Sequence, residues 1–404
     1  MEAAASPSSS DPYRPYLLVG HALGLLTLIL VCVEFAWNFA GPSSRDFISF
    51  WGAAKLALAG TPALAYDSAA LHAVQIEAAA FDANTGMPFA YAPAFLLMVL
   101  PFAGLPYPIA MAVWSLVTLG LYALVARRFA PQSRWLLIAF PPVFTIAALG
   151  QNGFVTAALF LGGLALLGRD RKFAAGLVLG CLILKPQLAF MLPVAMLAGR
   201  EWRVIAGAMV SAPAVLLIGL IAFGPETSAA WIRQMPLFVQ IAQEGLVGWH
   251  KLVSVYAAGR HAGLPEQVAF GVHCAVAVAA AALVARTWYA DAEFATKAAV
   301  LGAATMLASP YVYLYDALVL IPAFVWLVQR RAPVVLVGAL WLLPMAVIAQ
   351  NAYHVLPVNV APILPIILLA LCHFWARRHT ATRDLDEAHP ETRSWRRLAS
   401  NRSA

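Results

Sequence analysis

Asp46 is a single carboxylate that opens a stretch with apolar residues at helical spacing. Phe47, Phe50, Trp51 and Ala54 recur at i, i+3, i+4 and i+7, so they share one face of a helix. We predict an amphipathic helix around which the rest of the chain builds a bundle. Such a helix can lie on a membrane surface with its aromatic side in the acyl boundary. Asp46 can act as a general base or can simply cap this helix. Backbone N–H groups at the helix start predict an ionised carboxylate at neutral pH.

Lys185 is the second residue with possible chemistry, because it ends a short apolar run and precedes Pro186. A lysine within a membrane is costly unless it is paired, reaches the interface or serves a function. We predict either a point charge that holds a phosphate or a side chain that snorkels to the interface. Asp316, at the start of a later apolar run, can orient a sugar, pair with Lys185 or cap the following helix.

Other polar residues between the apolar runs can contact phosphate or sugar hydroxyls, or they can satisfy helix ends and loops. These candidates are Gln151, Asn152, Gln187, His250, His354 and Arg45. Aromatic residues in the same regions can stack on a sugar face, although interfacial aromatic belts give the same pattern. The aromatic candidates are Trp51, Tyr66, Tyr91 and Tyr315.

The sequence contains no recognisable metal or nucleotide motif. It has no Gly-rich phosphate loop, no HExxH and no Cys/His cluster. The four cysteines lie in or beside apolar runs without metal-ligand spacing, so we interpret them as packing residues. We predict no metal site and no cofactor, although the sequence is compatible with a divalent cation.

The composition indicates a polytopic membrane protein. Of the 404 residues, 62% are hydrophobic and 11% are charged, and the mean hydropathy is +0.78. A soluble domain carries about 25% charged residues. Backbone in a bilayer must satisfy its own hydrogen bonds, and the apolar runs do not fit barrel strands, so we predict an all-α transmembrane bundle. The net charge of +7 falls in short clusters between the runs, which is typical of topology signals and not of nucleic-acid binding.

Twelve apolar runs divide the chain and predict about twelve transmembrane helices. The runs are 16–37, 109–126, 135–149, 154–168, 173–184, 188–199, 203–223, 264–285, 298–308, 317–328, 333–349 and 358–376. Several are shorter than the roughly 20 residues of a straight crossing, so pairs of them can be re-entrant hairpins instead. With the N-terminus in the cytoplasm, 20 of the 26 Lys and Arg residues lie inside, and this bias sets the orientation.

This orientation predicts a disordered cytoplasmic N-terminus (1–15), a transmembrane domain (16–376) and a basic cytoplasmic tail (377–404). It also sends a set of segments outward, which we call the outer segments, and nearly all polar candidates fall in them. The outer segments are 41–108, 150–153, 185–187, 224–263, 309–316 and 350–354. Residues 91–101 are apolar but interrupted by prolines, so we predict that they dip into the membrane. Residues 231–238 predict a second interfacial helix with aromatic anchors.

The order of these motifs resembles a known group of enzymes. An Asp that opens an amphipathic helix after the first transmembrane segment is similar to the GT-C superfamily of integral-membrane glycosyltransferases. The later motifs resemble glycosyltransferase family 87 over roughly residues 40 to 375. They are Asp46–Trp51, Tyr66, Tyr91-Ala-Pro93, Gly150-Gln151, Lys185-Pro-Gln187, Ser309-Pro310 and Tyr315-Asp316. The chain departs from the family where Ala92 replaces the first residue of a frequent double proline, and where Tyr311–Leu314 lacks a frequent His or Asp.

The resemblance implies a GT-C-like bundle with periplasmic helices after the first transmembrane helix. It implies transfer of a hexose, above all mannose, from a polyprenyl phosphate to a lipid or glycan acceptor, with inversion. The active site would face the periplasm from a bacterial inner membrane, with Asp46 as the base. The alternatives are a transporter or flippase of lipid-linked saccharides, or a non-catalytic membrane scaffold. A transporter predicts internal repeats and polar residues near the midplane, which the sequence does not show.

Overall fold

The computed structural model describes residues 14–40, 45–78, 86–129, 134–246, 248–353 and 358–388. These residues are mostly helical, which confirms the predicted all-α class. The β structure within them is an isolated antiparallel bridge between Leu252 and Tyr313. Most of the predicted N-terminal segment, the end of the basic tail and the candidate His354 lie outside the described residues.

The first half of the chain contains two long helices, α1 and α5, among shorter ones. They are α1 (Arg14–Ala40), α2 (Phe47–Leu58), α3 (Ser68–Ala78), α4 (Ala94–Val99), α5 (Tyr107–Phe129), α6 (Arg134–Ala139), α7 (Pro142–Leu149), α8 (Gly153–Leu167), α9 (Lys172–Gly180) and α10 (Met191–Ala198). The predicted run 135–149 is therefore not one helix. Pro141 and Pro142 separate α6 from α7, because proline lacks the N–H that a helix interior needs and restricts the residue before it.

The second half contains the longest helix. Its helices are α11 (Trp202–Gln243), α12 (Val255–His261), α13 (Glu266–Tyr289), α14 (Phe294–Ala308), α15 (Ile321–Gln329), α16 (Val334–Tyr353) and α17 (Ile363–Ala388). Within α11, Gly224 has φ 79° and ψ 168°, and Pro225 follows it. The backbone resumes a helix after this kink. The predicted loop 224–263 is therefore helical up to Gln243, and residues 231–238 belong to this longer segment.

Four described helices are long and apolar enough to cross a membrane by length and composition. They are Leu18–Trp37, Tyr107–Phe129, Trp202–Ile241 and Glu266–Tyr289. Eight further apolar helical segments have 10–17 residues, and some of them join an α-helix to an adjoining 3₁₀ helix. In the segment 91–101, α4 has only six residues, which is too short to cross. The chain is a membrane protein, and the number of about twelve spans stays a prediction.

The helix that begins after Asp46 is surrounded by protein. Residues 47–54 of α2 are all buried, and the rings of Phe47 and Phe50 lie 6.0 and 6.1 Å from that of Trp114. On the other side, the small residue Gly52 lets Leu71 of α3 approach, since a Cβ at Gly52 would lie 3.0 Å from Leu71 Cδ1. The predicted contact of the aromatic side with the acyl boundary is therefore wrong, whereas the predicted packing of the chain around this helix is confirmed. Protein covers both faces of the helix, and Gly52 permits the close approach of α3 on the second face.

The main core surrounds α14, and it fixes the segment that carries Asp316. Residues 298–307 are all buried, as expected of a helix that is apolar on every side. A Cβ at Gly302 would lie 2.3 Å from the carbonyl oxygen of Val319. Glycine at this position therefore lets the 3₁₀ helix Leu314–Leu320 pack directly on α14.

Candidate active site

Asp46 stands directly before α2, but its side chain does not cap that helix. A capping aspartate accepts a hydrogen bond from a backbone N–H two or three residues later. Instead, Asp46 Oδ2 accepts a 2.9 Å hydrogen bond from Gln151 Nε2. Of the two interpretations that the sequence allows, the plain cap is therefore disfavoured, and the carboxylate is directed at the turn before α8.

The carboxyl group of Asp46 is half-buried, and this burial raises its pKa above the usual value for an aspartate. The hydrogen bond from Gln151 and the positive charges of Lys251, Arg45 and Lys185 act in the opposite direction. Removal from water therefore outweighs the helix start and the nearby charges in setting the direction of this shift. Ionisation of Asp46 at neutral pH stays a prediction. A raised pKa makes the carboxylate a stronger base once it is ionised.

A turn with a glycine at each end positions Gln151 and Asn152. Gly150 ends α7 with φ 66°, a left-handed conformation that favours glycine. A Cβ at Gly150 would also lie 2.5 Å from Phe47 Cβ, so glycine is needed for the close approach to α2. The carbonyl of Gly150 accepts a 3.0 Å hydrogen bond from Trp114 Nε1. These constraints explain why Gln151 reaches Asp46.

The other glycine brings the same turn against the segment of Asp316. A Cβ at Gly153 would lie 2.2 Å from the carbonyl oxygen of Tyr315. Asn152 Oδ1 accepts a 3.2 Å hydrogen bond from Lys185 Nζ, which also lies 2.5 Å from Asp316 Oδ1. Asp46, Gln151, Asn152, Lys185 and Asp316 thus form a continuous series, which we call the polar chain. Residues far apart in the sequence meet there within an apolar protein.

Lys185 is held inside the protein. Its side chain is 2% exposed, so it does not snorkel to the interface. It stands between the 3₁₀ helices Cys181–Leu184 and Pro186–Leu188, with φ −143° and ψ 72°. Pro186 favours this break, since a residue before proline avoids helical geometry. The break directs Lys185 towards Asp316 and away from a continuous helix.

Asp316 fulfils two of its three predicted roles. One carboxylate oxygen pairs with Lys185, and the other accepts a 3.1 Å hydrogen bond from the backbone N–H of Tyr313 at the start of the 3₁₀ helix. The side chain of Asp316 is fully buried. A buried ion pair is tolerated when its remaining hydrogen-bonding capacity is satisfied, as it is here for the carboxylate.

The four aromatic candidates lie near the polar chain but differ in accessibility. Trp51 and Tyr66 are buried, and each donates its polar hydrogen to a backbone carbonyl, at Leu105 and Tyr91 respectively. Tyr91 is half-buried and stacks on Phe95 at 4.5 Å. Burial raises the pKa of the Tyr91 hydroxyl, and the negative charges of Asp316 and Asp46 raise it further. Tyr91 is therefore a neutral phenol.

Tyr315 has neighbours on its ring. It stacks on Tyr313 with ring centroids 4.8 Å apart, and Lys185 Nζ lies 4.6 Å from its centroid. These contacts give Trp51, Tyr66 and Tyr315 structural roles in the described conformation. A sugar-stacking role stays a prediction for all four aromatic candidates.

The remaining candidates take different positions. Arg45 pairs with Glu34, and its backbone N–H donates a 3.0 Å hydrogen bond to the hydroxyl of Tyr107. Gln187 is half-buried next to the polar chain in sequence. The ring of His250 lies 6.3 Å from that of His261. His354 lies outside the described residues.

Two further residues lie near Asp46, and their spacing in the sequence does not distinguish them from other outer basic and aromatic residues. Lys251 lowers the pKa of Asp46 electrostatically, ahead of Arg45 and Lys185. Burial and the charge of Asp46 raise the pKa of the Tyr313 hydroxyl. The short bridge between Leu252 and Tyr313 places the two together. A bridge of one residue pair leaves no pattern in the sequence that could have predicted this.

Among the described residues, no group of three or more His, Cys, Asp or Glu side chains is arranged to hold a metal ion. Within the polar chain, Lys185 and Asp316 pair with each other, and Asp46 accepts a hydrogen bond from Gln151. The site therefore offers a base at one end, a matched ion pair at the other, and amides between them.

A comparison with protein families identifies the group to which this arrangement belongs. The model of glycosyltransferase family 87 matches residues 89–310, which is more than half of the chain. The chain belongs to glycosyltransferase family 87. The matched region of this family 87 protein contains Gln151, Asn152 and Lys185, whereas Asp46 precedes it and Asp316 follows it. Comparisons with curated proteins and with solved structures gave no match.

Proposed function

We propose that this family 87 glycosyltransferase is a hexosyltransferase that uses a polyprenyl-phosphate sugar as its donor. The sugar is mannose, and the acceptor is a lipid or glycan. The site faces the periplasm from a bacterial inner membrane, which the distribution of basic residues supports. The proposal extends the family assignment to a donor class, a sugar and a side of the membrane.

The observation that carries this proposal is the geometry of Asp46. It is a half-buried carboxylate that leaves its helix uncapped, accepts a hydrogen bond from Gln151 and has a raised pKa. A group of this kind suits the removal of a proton from an acceptor hydroxyl. The acceptor oxygen then forms a bond to the anomeric carbon as the bond from that carbon to the phosphate oxygen breaks. The electron pair goes to the phosphate, and a single displacement inverts the anomeric centre.

The rest of the polar chain holds Asp46 in position. The charge of Lys185 is matched by Asp316, so the pair needs no ligand to balance it. Lys185 donates a hydrogen bond to Asn152 and so fixes the turn. The residue before Asn152, Gln151, contacts the base Asp46. Preorganised dipoles that need no rearrangement during reaction are an efficient way to stabilise developing charge. In this account Lys185 is a positioning residue.

The transfer that we propose needs no resident cofactor. A divalent cation carried by the donor phosphate is compatible with the same chemistry. Turnover measured with and without a chelator distinguishes the two cases, since a required cation makes turnover depend on its addition.

The test uses the full chain in nanodiscs with a panel of polyprenyl-phosphate sugars and acceptors from membrane extract. We expect one donor, the mannosyl lipid, to release polyprenyl phosphate, and NMR to show that the product has the opposite anomeric configuration. Retention of configuration would contradict the single displacement. Movement of an intact lipid-linked saccharide across the bilayer, with no bond cleaved, would support a flippase and overturn the proposal.

A further inference from the structure

The outer segments contain six basic residues, and the structure distinguishes them by their partners. Arg45 pairs with Glu34, and Lys185 pairs with Asp316. The ammonium of Lys55 lies 5.2 Å from the ring centroid of Trp51. The guanidinium of Arg260 lies 5.2 Å from the ring of Trp249. Arg233 is exposed on α11. Lys251 is exposed and precedes Leu252, which bridges to Tyr313, and the N–H of Tyr313 donates to Asp316 of the polar chain.

Lys251 combines an available charge with proximity to the base. No carboxylate of the described residues lies within ion-pair distance of its ammonium group, and its side chain is exposed. Its charge acts on Asp46, whose pKa it lowers. Arg45 and Lys185 also act on Asp46, but each has its own carboxylate partner. Lys251 is therefore the cation of this group that can accept an anionic ligand without breaking an ion pair.

The backbone that carries Lys251 is fixed on both sides. Asn359 Nδ2 donates hydrogen bonds of 2.9 and 2.8 Å to the carbonyls of Trp249 and Leu252. The N–H of Val253 donates a 2.7 Å hydrogen bond to the carbonyl of Val312, next to the bridge between Leu252 and Tyr313. These bonds fix the backbone at Lys251, while its exposed side chain stays accessible to a ligand.

The next residue of the same segment adds a further anchor. Ser254 Oγ donates a 2.7 Å hydrogen bond to the carbonyl of Pro310 and accepts one of 3.1 Å from the N–H of Ala257. It thereby starts α12 and ties the segment to the stretch that carries Asp316. The position of Lys251 relative to the polar chain is thus set by side-chain and backbone bonds on several residues.

We propose that the ammonium group of Lys251 binds the phosphate of the lipid donor and stabilises that phosphate as it leaves the sugar. This inference rests on the proposed function, and it names the residue that meets the leaving group. The donor is a phosphodiester with one negative charge. When the bond between the anomeric carbon and the phosphate oxygen breaks, the electron pair stays on that oxygen, the acceptor oxygen bonds to the carbon, and the acceptor proton goes to Asp46.

The charge of the phosphate changes during this reaction. The product lipid is a phosphate monoester, which carries about −1.5 to −2 charges at pH 7. A cation in contact with it therefore interacts more strongly with the leaving phosphate than with the bound donor. Such an interaction lowers the barrier and does not merely tighten donor binding.

The test compares Lys251→Gln with Lys251→Arg, which keeps the charge, and with Lys55→Gln as the matched control. Binding of polyprenyl phosphate, of the sugar-carrying donor and of polyprenol is measured in nanodiscs. We expect Lys251→Gln to weaken polyprenyl phosphate binding about 10- to 100-fold, as loss of a charged hydrogen bond does. The donor should lose less and polyprenol nothing. Lys251→Arg should retain most of the affinity, and Lys55→Gln should bind as the wild type does.

Two results would overturn the inference. One is unchanged binding of polyprenyl phosphate by Lys251→Gln. The other is an equal loss for polyprenol, which has no phosphate and would indicate a general distortion. Inorganic phosphate serves as a further probe, because loss of its binding alone would assign Lys251 to free phosphate and not to the lipid. These arms need no turnover, so they decide the role of Lys251 even if the proposed donor is wrong.

Kinetics provides a second readout for an active donor. Since the interaction strengthens as the phosphate leaves, Lys251→Gln should lower kcat more than it raises KM. An effect on KM alone would show that Lys251 binds donor and transition state equally, and it would contradict the stabilisation of the leaving group.

Discussion

Replacement of Lys185 by methionine should destabilise the protein strongly, because it leaves Asp316 as a buried charge without its partner. The two side chains are 2% and 0% exposed and lie 2.5 Å apart. Breaking a buried ion pair by removing one partner costs about 3–5 kcal/mol in the free energy of unfolding. The lost hydrogen bond to Asn152 adds about 1 kcal/mol, while Asp316 keeps its bond from the backbone of Tyr313.

The double variant Lys185→Met/Asp316→Asn separates charge from geometry. It removes both charges, and the asparagine oxygen can still accept the hydrogen bond from Tyr313. Replacement of a whole buried ion pair by neutral groups is often close to neutral, so we expect the double variant to be more stable than Lys185→Met alone. Its activity should remain low, because the support for Asn152 is not restored.

The assay is unfolding in mixed micelles, followed by tryptophan fluorescence, for the wild type, both single variants and the double variant. The reasoning requires a coupling energy well above the roughly 0.5 kcal/mol within which independent sites add. Additive effects, or a Lys185→Met variant as stable as the wild type, would refute the buried ion pair as an energetic unit.

Three further predictions concern the base and the turn that supports it. Turnover should fall as the pH is lowered through the raised pKa of Asp46. A profile of kcat/KM against pH should show this acid limb above about 3.9, the pKa of a free aspartate. A limb at or below about 3.9 would contradict the effect of burial. Asp46→Asn should be as stable as the wild type or more stable at pH 7. A raised pKa in the folded state means that the ionised carboxylate opposes folding above pH about 3.9. Thermal unfolding at pH 7 tests this prediction, and a clear loss of stability would contradict it. Gly150→Ala should lower the free energy of unfolding by about 1–2 kcal/mol because of the left-handed backbone, and by more because of the clash with Phe47, and it should reduce turnover. The control is Gly338→Ala in α16, where nothing lies within 4 Å of the added Cβ. Equal behaviour of the two variants in unfolding and turnover assays would count against the role of the turn.

Sequence reasoning predicted the elements of the site better than their environment. Apolar spacing predicted a helix after Asp46, and α2 is present from Phe47 to Leu58. The cost of a lysine within a membrane singled out Lys185, and pairing with Asp316 was among the predicted roles. These inferences succeed because they depend on local spacing and on the energy of one buried charge.

The errors arise where distant segments decide the outcome. The helix start favours the ionised form of Asp46, but it does not predict that burial by residues elsewhere in the chain raises the pKa of this group. The covered second face of α2 depends on α3, which approaches at Gly52. Lys251 lies far from Asp46 in the sequence, and its position follows from the bridge of Leu252 to Tyr313 and the bonds of Asn359.

The most direct test of the account compares turnover and donor binding of Asp46→Asn with those of Asp67→Asn. Asp67 is the matched control, because it is exposed and its side chain caps α3 by accepting a 2.8 Å hydrogen bond from the N–H of Ala70. Loss of a general base lowers the rate about 100- to 10,000-fold. The account predicts such a loss for Asp46→Asn with donor affinity unchanged, and wild-type turnover for Asp67→Asn. Turnover of Asp46→Asn at the wild-type rate would contradict the role of Asp46 as the base.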